Sequence, residues 1–218
     1  MERFIRRGTA ATLVFIIPTL FAGGSFAWDG DFHHNRLLRG EYAVTEFRSC
    51  VQTVEGGFTQ DFRLLANGNF RTSVLQQVRT YNGDGTGNLT GMTTNMFLAT
   101  GPGQLVGSQS EVTCSIDYRV NPDLSYIETL QCSGTDLSTG NTFTITPSTR
   151  TGQIAPGRNN LVYNLTDPQI QLLTFFPPGV DPKNPDMEQV LFSRERVCIR
   201  SGKGVKIKGL RGGSDDRD

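Results

Sequence analysis

Between Val112 and Val120 apolar and polar positions alternate without a break. Val112, Cys114, Ile116, Tyr118 and Val120 fall on one parity, and Thr113, Ser115, Asp117 and Arg119 on the other. Successive side chains of an extended chain point to opposite faces, so the pattern predicts a strand with one buried and one wet face. Asn121-Pro122-Asp123 follows, where proline fixes φ and the Asx side chains can bond nearby backbone. The chain should turn there and return antiparallel from about Ser125 to Ser133. A loop centred on Asp123 sets Cys114 opposite Cys132, Ile116 opposite Leu130 and Tyr118 opposite Glu128. A slip of one residue would send one sulfur to the other face, so the cysteines also test the register.

Shorter runs of the same kind predict strands over Glu41 to about Val54, Phe58–Leu65, Phe70–Tyr81, Asn88–Leu98, Asn141–Ser148, Leu161–Leu165, Gln169–Phe176 and Gln189–Arg200. Ala66-Asn67-Gly68-Asn69, Asn82 to Gly87 and Ser138-Thr139-Gly140-Asn141 read as turns. Two longer loops are expected, Thr100–Gln109 with its glycines and Pro177–Met187 with its prolines. Nowhere in residues 28–218 do apolar residues recur at helical spacing for three turns. About eight to ten strands on short turns, with no helix long enough for a crossover, imply an all-β fold. The expected form is a single antiparallel up-and-down barrel, with a β-sandwich as the alternative.

The ends set the compartment. Arg3, Arg6 and Arg7 precede an apolar stretch from Gly8 to Ala22, and Ser25 and Ala27 place small side chains where signal peptidase needs them. Residues 1–27 therefore read as a signal peptide, 28–39 as a flexible lead, 40–200 as the barrel and 201–218 as a flexible charged tail. Pro18 interrupts an apolar core too short to span a bilayer, which argues against a membrane anchor. Gly8-Thr9-Ala10 after Arg6-Arg7 favours the general secretory route over twin-arginine export, so the protein is expected to be secreted or periplasmic.

An oxidising compartment makes two disulfides the default for four cysteines. If Cys114 joins Cys132, Cys50 joins Cys198 and ties the first strand to the last, as a closing sheet requires. Cleavage after Ala27 leaves 18 basic and 20 acidic side chains. That balance lacks the cationic excess of a nucleic-acid partner.

Candidate chemistry is sparse. Asn82-Gly83-Asp84-Gly85-Thr86-Gly87 resembles the start of a calcium loop, but Thr93 stands where such a loop needs glutamate, so a turn is expected instead. His33 and His34 are the two histidines and would be the candidate copper or zinc ligands, yet they fall in the expected flexible lead. No Gly-x-Ser-x-Gly is present, and thiols held as disulfides cannot act as nucleophiles. Arg194, Glu195 and Arg196 read as solvated or cross-strand ion pairs. The sequons at Asn88 and Asn164 are assigned no role.

Glu128 is the most informative single residue, since the register puts it inward near Tyr118 and Tyr126. There it would orient a ligand or, with Tyr118, act as an acid or base. The bland alternative pairs it with a cation such as Arg119.

Three short stretches share a layout: Gly40-Glu41-Tyr42, Tyr81-Asn82-Gly83-Asp84-Gly85-Thr86-Gly87, and Cys114-x-x-x-Tyr118-x-Val120-x-x-Asp123-x-Ser125. Together, over roughly Leu38–Ser148, they resemble small secreted bacterial β-barrel proteins of the calycin-like, lipocalin-like type. Lipocalins proper carry Gly-x-Trp at the first strand, where this chain has Tyr42. The resemblance implies a barrel of the kind that encloses either packed side chains or one small, partly apolar ligand. The expected role is such binding, without catalysis and without a cofactor, with Tyr118, Tyr126 and Glu128, placed inward by the hairpin register, as the candidate contacts. The alternatives are a barrel isomerase or cyclase using Glu128 and Tyr118, and a protein-interaction module displaying its loops.

Overall fold

A computed structural model of the chain describes residues 32–98, 105–164, 168–182 and 189–207. The expected signal peptide and its cleavage point lie outside the described residues.

A short helix, α1 (Phe32–Asn35), leads into nine strands. They are β1 (Arg39–Thr53), β2 (Gly68–Asn82), β3 (Thr86–Leu98), β4 (Leu105–Val120), β5 (Ser125–Asp136), β6 (Thr142–Ile154), β7 (Asn160–Asn164), β8 (Ile170–Phe176) and β9 (Phe192–Lys206). Each pairs antiparallel with its neighbours, and β9 returns to pair with β1, so the sheet closes into a barrel. β7 and β8 share one position between β6 and β9: β7 meets the end of β6 and β8 its beginning. Nine strands thus make an eight-strand barrel with one divided stave.

The predicted hairpin register holds, with Cys114 opposite Cys132, Ile116 opposite Leu130 and Tyr118 opposite Glu128. Both disulfides form as expected, Cys114–Cys132 within the hairpin and Cys50–Cys198 between the first strand and the last. The Asn121-Pro122-Asp123 turn is fixed by Asp123, whose Oδ1 accepts from the Ser125 amide at 2.9 Å and its hydroxyl at 2.6 Å. Asp84 does the same for Thr86, at 2.8 Å for each donor. Its carboxylate is spent inside the turn rather than aimed at an ion.

Three sequence expectations need correction. Phe58–Leu65 is not a strand: it makes one bridge, Phe58 to Leu64, because the segment folds back on itself through a tight turn. There the Thr59 amide donates to Arg63 O and the Phe62 amide to Thr59 O, with Phe62 at φ +63°. Leu105–Gln109, expected as loop, continues β4 by pairing with β3 up to Leu98. Parts of the expected flexible lead and tail are structured, beginning with α1 at Phe32–Asn35. Arg39 already belongs to β1, and β9 runs past Arg200 to Lys206, held by β1 and β7.

Parity decides what enters the barrel. Even positions of β1, β4 and β9 and odd positions of β2 and β3 point inward. β6 changes parity at a bulge around Thr146-Pro147, where Leu130 faces Ser148 but Cys132 faces Ile145. Proline has no amide to give the ladder, so the extra residue falls there. The change turns Arg150 inward, and it is buried. Close packing also needs missing side chains: a Cβ on Gly202 would sit 2.1 Å from the Tyr163 ring, and one on Gly152 2.4 Å from the Tyr126 ring.

The end of the barrel carrying α1 is apolar and plugged. Leu38, Tyr42, Tyr81, Leu89, Tyr118 and Tyr126 pack there, with Tyr81 edge-on to both Tyr42 and Tyr118. α1 is tied down by Asn35, whose Oδ1 accepts from the Val120 amide at 2.9 Å.

Candidate functional site

Below that plug, charge fills the barrel. Among the described residues, five arginines (48, 79, 150, 196 and 200) and two glutamates (46 and 128) are buried. Glu46 gathers most of the contacts. Its Oε1 accepts from Arg48 Nε at 2.5 Å, and its Oε2 from Arg150 Nη1 and Tyr163 Oη, both at 2.6 Å. Arg79 Nη2 approaches the same oxygen at 3.4 Å. Burial alone would raise this carboxyl, but Arg150, Arg48, Arg200 and Arg79 hold it well below its ordinary value. Charge-assisted bonds of this kind offset the desolvation of both partners only when the geometry is good and further hydrogen bonds are made, and both oxygens of Glu46 are bonded.

Glu128 is committed in the same way. Arg79 Nη1 donates to its Oε1 at 2.5 Å and Tyr81 Oη to its Oε2 at 2.8 Å. Its partner is Arg79 rather than Arg119, which is exposed. The structure brings Glu128, Tyr126 and Tyr118 onto neighbouring inward positions but gives them no common opening. Tyr118 serves the plug: its hydroxyl donates to Leu38 O at 2.8 Å and accepts from the Gly83 amide at 2.9 Å. The Tyr126 hydroxyl is buried without a partner. His33 and His34 lie on α1 at the plugged end, and among the described residues no three His, Cys, Asp or Glu side chains gather as a metal site needs.

The opposite end differs. A cleft of about 40 Å³ lies inside the mouth formed by β1 to β6, β8 and β9. One wall is apolar, from Val112, Phe143, Ile145, Leu173 and Phe175, and the other carries Arg48, Arg71, Arg196 and hydroxyls such as Thr93 and Ser110. It meets solvent past half-buried Arg71, Ser108, Asp136 and Phe175.

Arg196 is not the solvated member of a charged trio, as expected from sequence. It is buried, its Nε donates to the neutral Gln171 Oε1 at 3.2 Å, and its Nη2 has no partner. Arg200 Nη2 donates to the same Gln171 oxygen, and its Nε is unpartnered. Burial first, then the facing guanidiniums, press Arg196 and Arg200 well below the ordinary arginine value. Glu195, by contrast, turns away to hold the Phe58 amide at 2.8 Å.

Sequence reasoning missed this arginine cluster. The signal was present in parity, since Arg48 shares its face with Cys50, and Arg196 and Arg200 share theirs with Cys198. A wider concavity of about 1180 Å³ lies on the outer face among residues such as Phe47, Val78, Val162 and Val205. It lacks the cleft's pairing of a buried guanidinium that has an unpartnered nitrogen, that of Arg196, with an apolar wall.

A closed antiparallel barrel with a charged interior and one arginine-lined mouth is what fold and site together define. Compared with known proteins, the chain matches no family model, no curated protein and no solved structure.

Proposed function

We propose that this protein is a binding module of the calycin-like barrel type, secreted or periplasmic, that takes a small, partly apolar molecule at the arginine-lined mouth without altering it chemically. The observation that carries this conclusion is the two-sided cleft, apolar through Phe143, Leu173 and Phe175 and cationic through Arg48, Arg71 and Arg196. Pockets that recognise small molecules combine an apolar lining with a few placed polar groups in this way. The space inside is near that of a single polar group, so the ligand's polar end would enter and its apolar part would lie along Phe175 at the rim.

Two disulfides fit a compartment outside the cytoplasm. A binding role is favoured over an isomerase or cyclase because Glu128 is fully buried, has both oxygens bonded to Arg79 and Tyr81, and lines neither the cleft nor the outer concavity. Tyr118, Tyr126 and Glu128 then support the barrel rather than touch the ligand.

The test is amide NMR on the oxidised protein during titration with short-chain amphiphiles. Resonances of Thr93, Ser110 and Val112 should shift, and the ligand should be recovered with its mass unchanged. Silence at all three residues across the series sinks the proposal, and a changed ligand mass sinks its non-catalytic part.

A further inference from the structure

We infer that the polar end taken into this cleft is an oxyanion, a carboxylate or phosphate group, seated against the guanidinium of Arg196 with Arg48 and Arg71 beside it. This rests on the binding function proposed above and adds the charge class of the ligand.

The interior is out of balance in one place. Glu46 and Glu128 answer Arg79, Arg150 and the Nε of Arg48, and both carboxylates are then fully engaged. Arg196 and Arg200 are left with one neutral amide oxygen between them, that of Gln171. No carboxylate among the described residues bonds either of them. Arg200 also stands directly opposite Arg48 across the β1–β9 ladder. Like charges so placed repel, and Glu46 acts on Arg196 and Arg200 only from a distance, so two buried cations are left without a bonded counter-charge, a costly arrangement.

The unpartnered atom lies where a ligand would be. Arg196 is 3 % exposed, lines the cleft and has its Nη2 free of any partner. Thr93, on the same wall, has a buried hydroxyl without a partner. Asp136 also lines the cleft, but its charge acts on Arg71, whose other bonds go to Asn95 Oδ1 at 3.0 Å and Gln52 Oε1 at 3.3 Å. A planar guanidinium offers paired donors that match two oxygens of a carboxylate or phosphate. A cleft of about 40 Å³ has room for a polar group of a few atoms, since roughly 10–15 Å³ of such space already holds a water.

The probes are octanoate, octanol and inorganic phosphate, titrated by calorimetry into the oxidised protein at fixed ionic strength in chloride. We expect octanoate to bind about tenfold or more tightly than octanol, the difference a charge-assisted bond supplies. Arg196→Met should bring octanoate and octanol affinities within about twofold of each other, and Arg196→Lys should restore part of the preference. Binding of phosphate as well as octanoate marks recognition of the free group, whereas octanoate alone marks an amphiphile; both support the inference. Octanol binding as well as octanoate, with phosphate silent, overturns the oxyanion and leaves the binding function standing. If none of the three binds, both fall. The wild-type comparison stands even if Arg196→Met fails to fold.

Discussion

Arg48 and Arg200 are Cα partners across β1 and β9, both buried, one inward step from the disulfide that joins Cys50 to Cys198. The bridge holds together two strands whose neighbouring charges push them apart. Arg48 is bonded by Glu46, whereas Arg200 feels that carboxylate only at a distance and bonds no carboxylate among the described residues. Replacing it with an apolar side chain of similar length removes both the repulsion and the desolvation penalty. Arg200→Met should therefore raise ligand-free stability by about 1 kcal/mol in urea unfolding, and a loss of stability would contradict the imbalance.

Removing the carboxylate that answers those charges should have the opposite effect. Glu46→Gln leaves Arg48, Arg79 and Arg150 facing a neutral amide, and breaking a buried network from one side costs about 3–5 kcal/mol. Urea unfolding at neutral pH measures it.

The same group sets the acid limit. Glu46 is held well below its ordinary value of 4.5 in the folded state. A depressed carboxyl contributes its full stability above the unfolded pKa and loses it as pH falls toward the folded one. Stability should hold down to the mid-fours and fall below, and Glu46→Gln should flatten that fall. Unfolding free energy measured between neutral pH and strong acid checks both slopes.

Tyrosines set the alkaline limit. All five, Tyr42, Tyr81, Tyr118, Tyr126 and Tyr163, have their hydroxyls raised, with burial the largest cause, and Tyr42 reaches about 12. A raised phenol contributes stability below its unfolded value near 10 that is lost as pH climbs through the folded one. Phenolate absorbance should therefore appear together with loss of the circular dichroism signal. Separate transitions would show that some rings ionise inside the intact barrel.

The two bridges should differ in worth. Cys114–Cys132 closes 18 residues and Cys50–Cys198 closes 148. Loop-closure entropy then gives about 3 kcal/mol for the first and about 5 kcal/mol for the second. Paired alanine replacements, compared by urea unfolding, should rank in that order.

The barrel was legible in the sequence because strand parity and turn chemistry are local. Val112–Val120 with the Asp123 turn set the hairpin register, and the cysteine pairs closed the sheet. The charged centre was not legible, for two physical reasons. Arginine and glutamate at inward positions look like surface residues until their partners are known, and Arg79 meets Glu128 only after 49 positions. The parity of β6 also changes at Pro147, so alternation read from Phe143 alone would send Arg150 to the outside. Glu128 was found by register, but its surroundings were set by β2, which local pattern cannot reach.

From Cys50 to Cys198, backbone and sulfur form one unbroken covalent ring that contains most of the barrel. A single proteolytic cut within it, for instance between 54 and 67, would leave one molecule with every stave still tethered. Fragments would separate only after reduction. In a compartment rich in proteases, a nicked copy would stay whole.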